Sequence, residues 1–212
     1  MATEVDICNM ALSFLGDRAT VTSINPPEGS AQAEHCARFY PMALNEMLAQ
    51  ARWSFATKRS KLVRFTEEVP GAAYAYAVPS DCLTIQSVHT LLKKYCGHSG
   101  LAKTWTVCRH GTMLALLTDE TVEYICYTTS DVPAATMPHL FSLALAHLLA
   151  SKIAGAMVTG PTGVELAQAQ VKFYDLYLRR AMTEDAMSSN EDIEHEPPFF
   201  STYCDGDLYG QL

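Results

Sequence analysis

Apolar residues change their spacing twice along this chain, and that change limits what it can fold into. Around Val5 to Leu48, and again from Leu140 to Leu178, they recur every three to four positions, the period of a helix packed on one face. Between these stretches lie short runs rich in aromatic and β-branched residues, at 74–78, 83–88, 104–107, 113–117 and 122–127. Such runs read as strands. Gly97, Gly100, Gly111 and the pair Thr118-Asp119 punctuate them at intervals too short for the crossovers of a parallel sheet. The expected fold class is α+β: a four-helix bundle with an inserted small antiparallel β domain and an extended C-terminal arm. Its units are expected at residues 1–58 (first helix pair), 59–130 (β domain), 131–187 (second helix pair) and 188–212 (arm).

Local signals set the expected helix ends. Thr3 with Asp6 three residues on has the form of a cap, and Val5, Cys8, Met10, Leu12 and Leu15 lead to Gly16, which ends the first helix. Asn25-Pro26-Pro27 forces a loop. Ser30 is the expected N-cap of a long second helix through Cys36, Tyr40, Met47 and Ala51. Pro41 should bend it, because a lost hydrogen bond and a ring clash cost about 3 kcal/mol that packing must offset. A third helix is expected with Thr136 as N-cap and Pro138 in its first turn, its run from Leu140 to Ile153 making it the most buried. Gly160-Pro161 breaks it, and a fourth follows over about 162–182.

A chain of 212 residues that is 49% hydrophobic and 18% charged has material for a substantial core, which argues against global disorder. The richest apolar run, 140–150, is interrupted by Ser142 and His147 and falls short of the roughly 18 residues of a membrane span, so no membrane anchor is expected. The first residues carry no basic region, and the expectation is folding in a cytosol with reduced thiols. Seven cysteines, odd in number and without a C-x-x-C pair, read as free and mostly buried.

Of the 23 acidic residues, eight (Glu184, Asp185, Glu191, Asp192, Glu194, Glu196, Asp205 and Asp207) occupy a final stretch without Lys or Arg; the other 15 match the 15 basic residues. The chain therefore reads as a neutral body with an acidic arm. Pro197, Pro198, Phe199, Phe200, Tyr203, Leu208 and Tyr209 place apolar groups inside that solvating context, as a docking segment requires. The competing reading is a frayed terminus.

Candidates for chemistry are isolated. His35-Cys36 are adjacent on a helix and face about 100° apart, too far to act as base and nucleophile. Cys96, His98, Cys108 and His110 are the best set for zinc, against buried thiols and exposed histidines as the alternative. Glu67-Glu68 have no fixed separation of the kind a glycosidase needs. Arg52, Lys58, Arg59, Lys61 and Arg64, with Trp53 and Phe55 among them, raise nucleic-acid binding; the favoured reading is a half-buried strand with core aromatics and a wet basic face. Lys93 and Lys94 add a smaller patch.

Several motifs recur together: Ile7-Cys-Asn-Met-Ala-Leu-Ser-Phe-Leu-Gly16, Arg38-Phe-Tyr-Pro41, Ala51-Arg-Trp-Ser-Phe-Ala-Thr-Lys-Arg59, Tyr74-Ala-Tyr-Ala-Val-Pro-Ser-Asp-Cys-Leu83, the run 122–127 and Met137-Pro-His-Leu-Phe-Ser-Leu-Ala-Leu-Ala146. In order and spacing they resemble the tail tubular protein A family of short-tailed phages, over roughly residues 7–156. Pro41, Arg52, Trp53, Phe55, Tyr74, Tyr76, Pro79 and Asp81 are the positions that carry the likeness. The resemblance implies a virion head-to-tail adaptor, not an enzyme. Such a ring, typically of twelve copies, lies between the portal and a tail nozzle (tubular protein B-like), and genomic DNA passes through without sequence-specific binding. It implies no catalytic residue, cofactor or metal. The cysteine content and the acidic Pro-Phe-Phe arm, expected to dock on the portal or a neighbouring copy, depart from the family pattern. Alternatives are another portal-binding head-completion or tail-fitting protein and, remotely, a cell-envelope hydrolase using Glu67, Glu68 and Glu123.

Overall fold

The computed structural model describes residues 2–18, 20–66, 69, 71–90, 101–102 and 104–188. Among them are four α-helices, α1 (Glu4–Phe14), α2 (Ala31–Gln50), α3 (His139–Met157) and α4 (Pro161–Ser188). Between α2 and α3 run β1 (Thr57–Ser60), β2 (Val63–Arg64), β3 (Tyr74–Ala77), β4 (Cys82–Thr90), β5 (Trp105–His110), β6 (Met113–Thr118) and β7 (Val122–Thr129). Short 3₁₀ turns, Ser54–Ala56 and Ala134–Thr136, lead into β1 and toward α3. The fold is mixed α and β, with antiparallel sheets ordered β1-β7-β4 and β2-β3-β6-β5.

The capping signals of α1 act as their chemistry dictates. Thr3 Oγ1 accepts from the Asp6 N–H at 3.1 Å and the Asp6 carboxylate accepts from the Thr3 N–H at 2.9 Å, satisfying two amides that helix geometry leaves open. These bonds hold the Asp6 carboxyl below its usual range. At the other end Gly16 takes φ +79°; its N–H donates to Ser13 O and that of Asp17 to Leu12 O, the paired closure that a left-handed residue permits. Asn9 then pins the following loop, its amide donating to Val21 O at 2.9 Å and accepting from Val21 N at 2.8 Å.

Ser30 Oγ accepts from Ala33 N at 3.2 Å and opens α2, which continues through Pro41 as one helix. Pro41 is exposed while Tyr40, Ala43 and Leu44 beside it are buried, so its ring meets solvent and the opposite face holds the turn.

Two expectations about α3 are corrected. Thr136 is not its N-cap: the helix opens after Pro138, whose carbonyl accepts from Ser142 N, and Thr136 Oγ1 donates to Pro133 O in the preceding 3₁₀ turn. A residue before proline is pushed out of helical geometry, and Met137 at ψ 133° obeys this. By length and composition α3 is also apolar enough to cross a membrane. Ser142 and His147 do not interrupt it, since Ser142 Oγ donates to Pro138 O and His147 bonds a neighbouring helix. Most of α3 is buried within the protein, as expected of a helix apolar on every side.

α3 is the centre of packing, touching each of the other three helices. Phe141, Leu145, Leu149 and Ile153 share one cluster with Ile7 and Leu12 of α1, Met47 and Leu48 of α2, and Tyr174 and Ala181 of α4. α3 and α4 approach closely at Gly163, where a Cβ would lie 2.1 Å from Val158 O, so only glycine fits there.

The two sheets face each other through Tyr76, Val78, Val88, Leu116, Val122, Ile125 and Tyr127. Ala75, Ala115 and Leu117, on the back of the four-stranded sheet, form a smaller cluster under Phe65 and Val69. Antiparallel pairing was legible, but among the described residues only β5–β6 is a tight hairpin; β3 pairs β6 and β4 pairs β7 across long intervals.

Candidate functional site

The residues most distinctive in sequence meet where the helices join the sheets. Trp53 is buried, its Nε1–H donating to Met47 O at 2.9 Å, and its ring meets the edge of Phe141 at 4.9 Å. Phe55 packs on Phe141 at the same distance. These apolar rings turn the chain from α2 into β1, and Arg52 Nη2 donates to Gln86 O on β4 at 3.3 Å. Asp185, near the end of α4, clasps the turn: its carboxylate accepts from Ser54 N at 3.0 Å and from Ser54 Oγ at 2.6 Å. It caps the 3₁₀ turn as an N-cap carboxylate would cap a helix.

Asp81, at the entry to β4, gathers the other side of the joint. Its carboxylate accepts from Lys58 Nζ at 2.9 Å, Thr129 Oγ1 at 2.8 Å and Tyr127 OH at 3.1 Å, tying β1 to the end of β7. The Lys58 ammonium holds the Asp81 carboxyl below the usual carboxylate range and Asp81 raises Lys58 in turn. Burial, with a smaller push from Asp81, raises the Cys82 thiol to about 11, so it is a poor nucleophile near neutral pH. Pro79 O accepts from Cys82 N in the turn before β4. Tyr76 OH accepts from Val122 N at 3.1 Å, and Arg64 lies over the Tyr74 ring at 4.6 Å. Arg52, Trp53, Phe55, Tyr74, Tyr76, Pro79 and Asp81 thus do local structural work around the joint and the sheets, while Pro41 stands apart on the outer side of α2.

The basic cluster divides in the same way. Trp53 and Phe55 belong to the core, Lys58 is paired with Asp81 and Asp131, and Arg59, Lys61 and Arg64 are exposed. Glu184 and Asp185, counted with the charge of the acidic stretch but inside the expected helix pair 131–187, both lie in α4, and Asp185 is a buried cap whose partner Ser54 is not visible from charge alone. The expected docking residues Pro197, Pro198, Phe199, Phe200, Tyr203, Leu208 and Tyr209 lie outside the described residues, as do Glu67, Glu68, Lys93, Lys94, Cys96, His98 and Cys204.

The thiol readings resolve by geometry. Cys8, Cys36, Cys82, Cys108 and Cys126 are free. Cys36 meets Cys8 of α1, whose thiol is pushed up by that hydrogen bond and by burial, while His35 stacks beside Phe39. Cys108 and His110 share a face of β5, where His110 meets the Phe65 ring at 5.2 Å. Among the described residues no group of three or more His, Cys, Asp and Glu could hold a metal.

Two features escaped the sequence reading. His147 lies between parallel rings, 4.1 Å from Phe14 and 5.2 Å from Tyr177. Gln170 Nε2 donates to Phe14 O at 3.3 Å, which turns its Oε1 toward His147 at 2.6 Å, so the imidazole carries its proton on Nδ1. Burial depresses the His147 pKa. The second is a groove of about 610 Å³ between the start of α3 and the last turns of α4. Leu176, Arg180, Thr183 and Met187, spaced 4, 3 and 4 apart, give it one helix face. That period just before an acidic segment was the available signal.

No protein-family model and no curated protein matches this chain.

Proposed function

We propose that this chain is a structural head-to-tail adaptor similar to the tail tubular protein A family of short-tailed phages. In this reading the four helices form a bundle with the β domain inserted. Copies close a dodecameric ring between portal and tail nozzle in the virion, continuing the channel through which DNA leaves. Neighbours meet by a heterologous, ring-closing interface.

One observation carries this reading. The residues of its two most distinctive motifs, Arg52-Trp53-x-Phe55 and Tyr74-x-Tyr76-x-x-Pro79-x-Asp81, serve contacts that hold the helices to the sheets and the sheets to each other. Such a clasp suits a part that transmits load between two assemblies. Exposed apolar side chains along α4, among them Val164, Val171 and Phe173, suit a face covered by another subunit. The near-neutral body suits a channel that must release DNA, since each phosphate contact adds salt-dependent affinity. Mixing the purified chain with portal rings and imaging them by negative stain tests it: a stacked ring on one end of the portal is expected, and bare portals at saturating protein would exclude the role.

A further inference from the structure

The groove between α3 and α4 has a definite chemistry. Leu140, Leu176 and Met187 supply an apolar floor, with Met187 82% exposed, and His139, Arg179 and Arg180 add cationic or polar edges. Glu184 is the one carboxylate in its lining. Among the described residues neither arginine forms an ion pair, although Arg180 lies 5.8 Å over the Tyr177 ring. The groove ends where α4 ends, at Ser188, and the segment 189–212 leaves from that point.

We propose that residues 189–212 fold back within the same copy and occupy this groove, Phe199 and Phe200 against Leu140, Leu176 and Met187, with Glu191, Asp192, Glu194 and Glu196 beside Arg179 and Arg180. Charge selects the groove: the segment holds six carboxylates and no Lys or Arg. A second groove among the described residues, beside Pro41 and Tyr40 of α2, contains Glu4 and no basic side chain, and would repel it. Length permits it: from Ser188 back to Leu176 is about 18 Å along the helix at 1.5 Å per residue. The chain between Ser188 and Phe199 spans up to about 36 Å when extended. Attachment beside the groove also gives the segment an effective concentration that a separate copy at micromolar levels does not match. The proposal goes beyond the adaptor role and holds whether or not the chain enters a ring.

The test uses the full chain with Phe199 replaced by a photoreactive benzoylphenylalanine. An equal mixture of ¹⁴N- and ¹⁵N-labelled chains is irradiated at low micromolar concentration and its cross-links are mapped by mass spectrometry. Cross-links within one isotope, to residues 139–140 or 176–187, are expected. Their yield should fall about fivefold in the Arg179→Glu/Arg180→Glu variant and in molar salt, as for exposed ion pairs. Mixed-isotope links would transfer the segment to a second copy and overturn the proposal, as would links elsewhere in the chain or a yield indifferent to both charge reversal and salt.

Discussion

Around α3 a single apolar cluster joins all four helices, whereas among the described residues the sheets divide their buried side chains between two smaller clusters and rely on polar side chains at their base. Stability is therefore concentrated in the helical part. Each large side chain fully buried in the helical part contributes about 1.5–3 kcal/mol, and each hydrogen bond at Asp81 about 1 kcal/mol. The helical part should hold its shape alone, and the β part should depend on the joint at Trp53, Phe141, Asp81 and Asp185. The chain's two tryptophans report the parts separately, Trp53 from the helical core and Trp105 from the edge strand β5.

The largest effect is expected for Phe141→Ala, which empties the centre of the joint. Urea unfolding should show a loss of about 3–5 kcal/mol on both tryptophan signals, because the lost contacts serve both parts. A loss confined to one signal would break the coupling. Asp81→Ala should cost about 2–3 kcal/mol, leaving Tyr127 and Thr129 without this acceptor and Lys58 with Asp131 alone, and should lower the Trp105 midpoint more than the Trp53 midpoint. Equal shifts would mean that Asp81 supports the helices as much as the sheets.

Asp185→Ala should cost about 1–2 kcal/mol, the usual loss of a capping carboxylate, and speed amide exchange at Ser54 and its neighbours. Unchanged exchange there would remove α4 from the joint. The smallest effect is on pH dependence. His147 has a folded pKa below its ordinary 6.5, so the unfolded chain binds its proton more readily. Its contribution is fully present above about 6.5 and is lost as pH falls through the lowered folded value. Burial depresses His89 in the β part as well, and the Asp81 contribution fades at still lower pH. His147→Phe should flatten the decline seen by Trp53 between neutral and mildly acidic pH, and an unaltered slope would assign it to other groups.

Much of the helical part was legible because its signals are local. Thr3 with Asp6, Gly16 and Ser30 each act within a few residues, and sequence spacing contains all that such contacts need. The strands 74–77, 82–90, 113–118 and 122–129 were legible from their β-branched and aromatic content, yet their partners were not, since pairing of β3 with β6 depends on the whole chain. β1, the stretch Thr-Lys-Arg-Ser, carries no apolar alternation and owes its strand to β7. The capping role of Asp185 was hidden for the same reason: its partner Ser54 lies 131 positions away, and charge alone counted it with the acidic stretch. Trp53 and Phe55 were correctly weighed as core, because a ring inside a basic run has few other places to go beside a buried helix.

In the proposed adaptor role the chain joins a portal to a tail, and a cryo-electron density map of the intact particle tests that role most directly. A ring of copies at the portal vertex is expected, each with its helices and paired sheets fitted as one body. A map with the portal bound directly to the nozzle, and this chain elsewhere or missing, would contradict it.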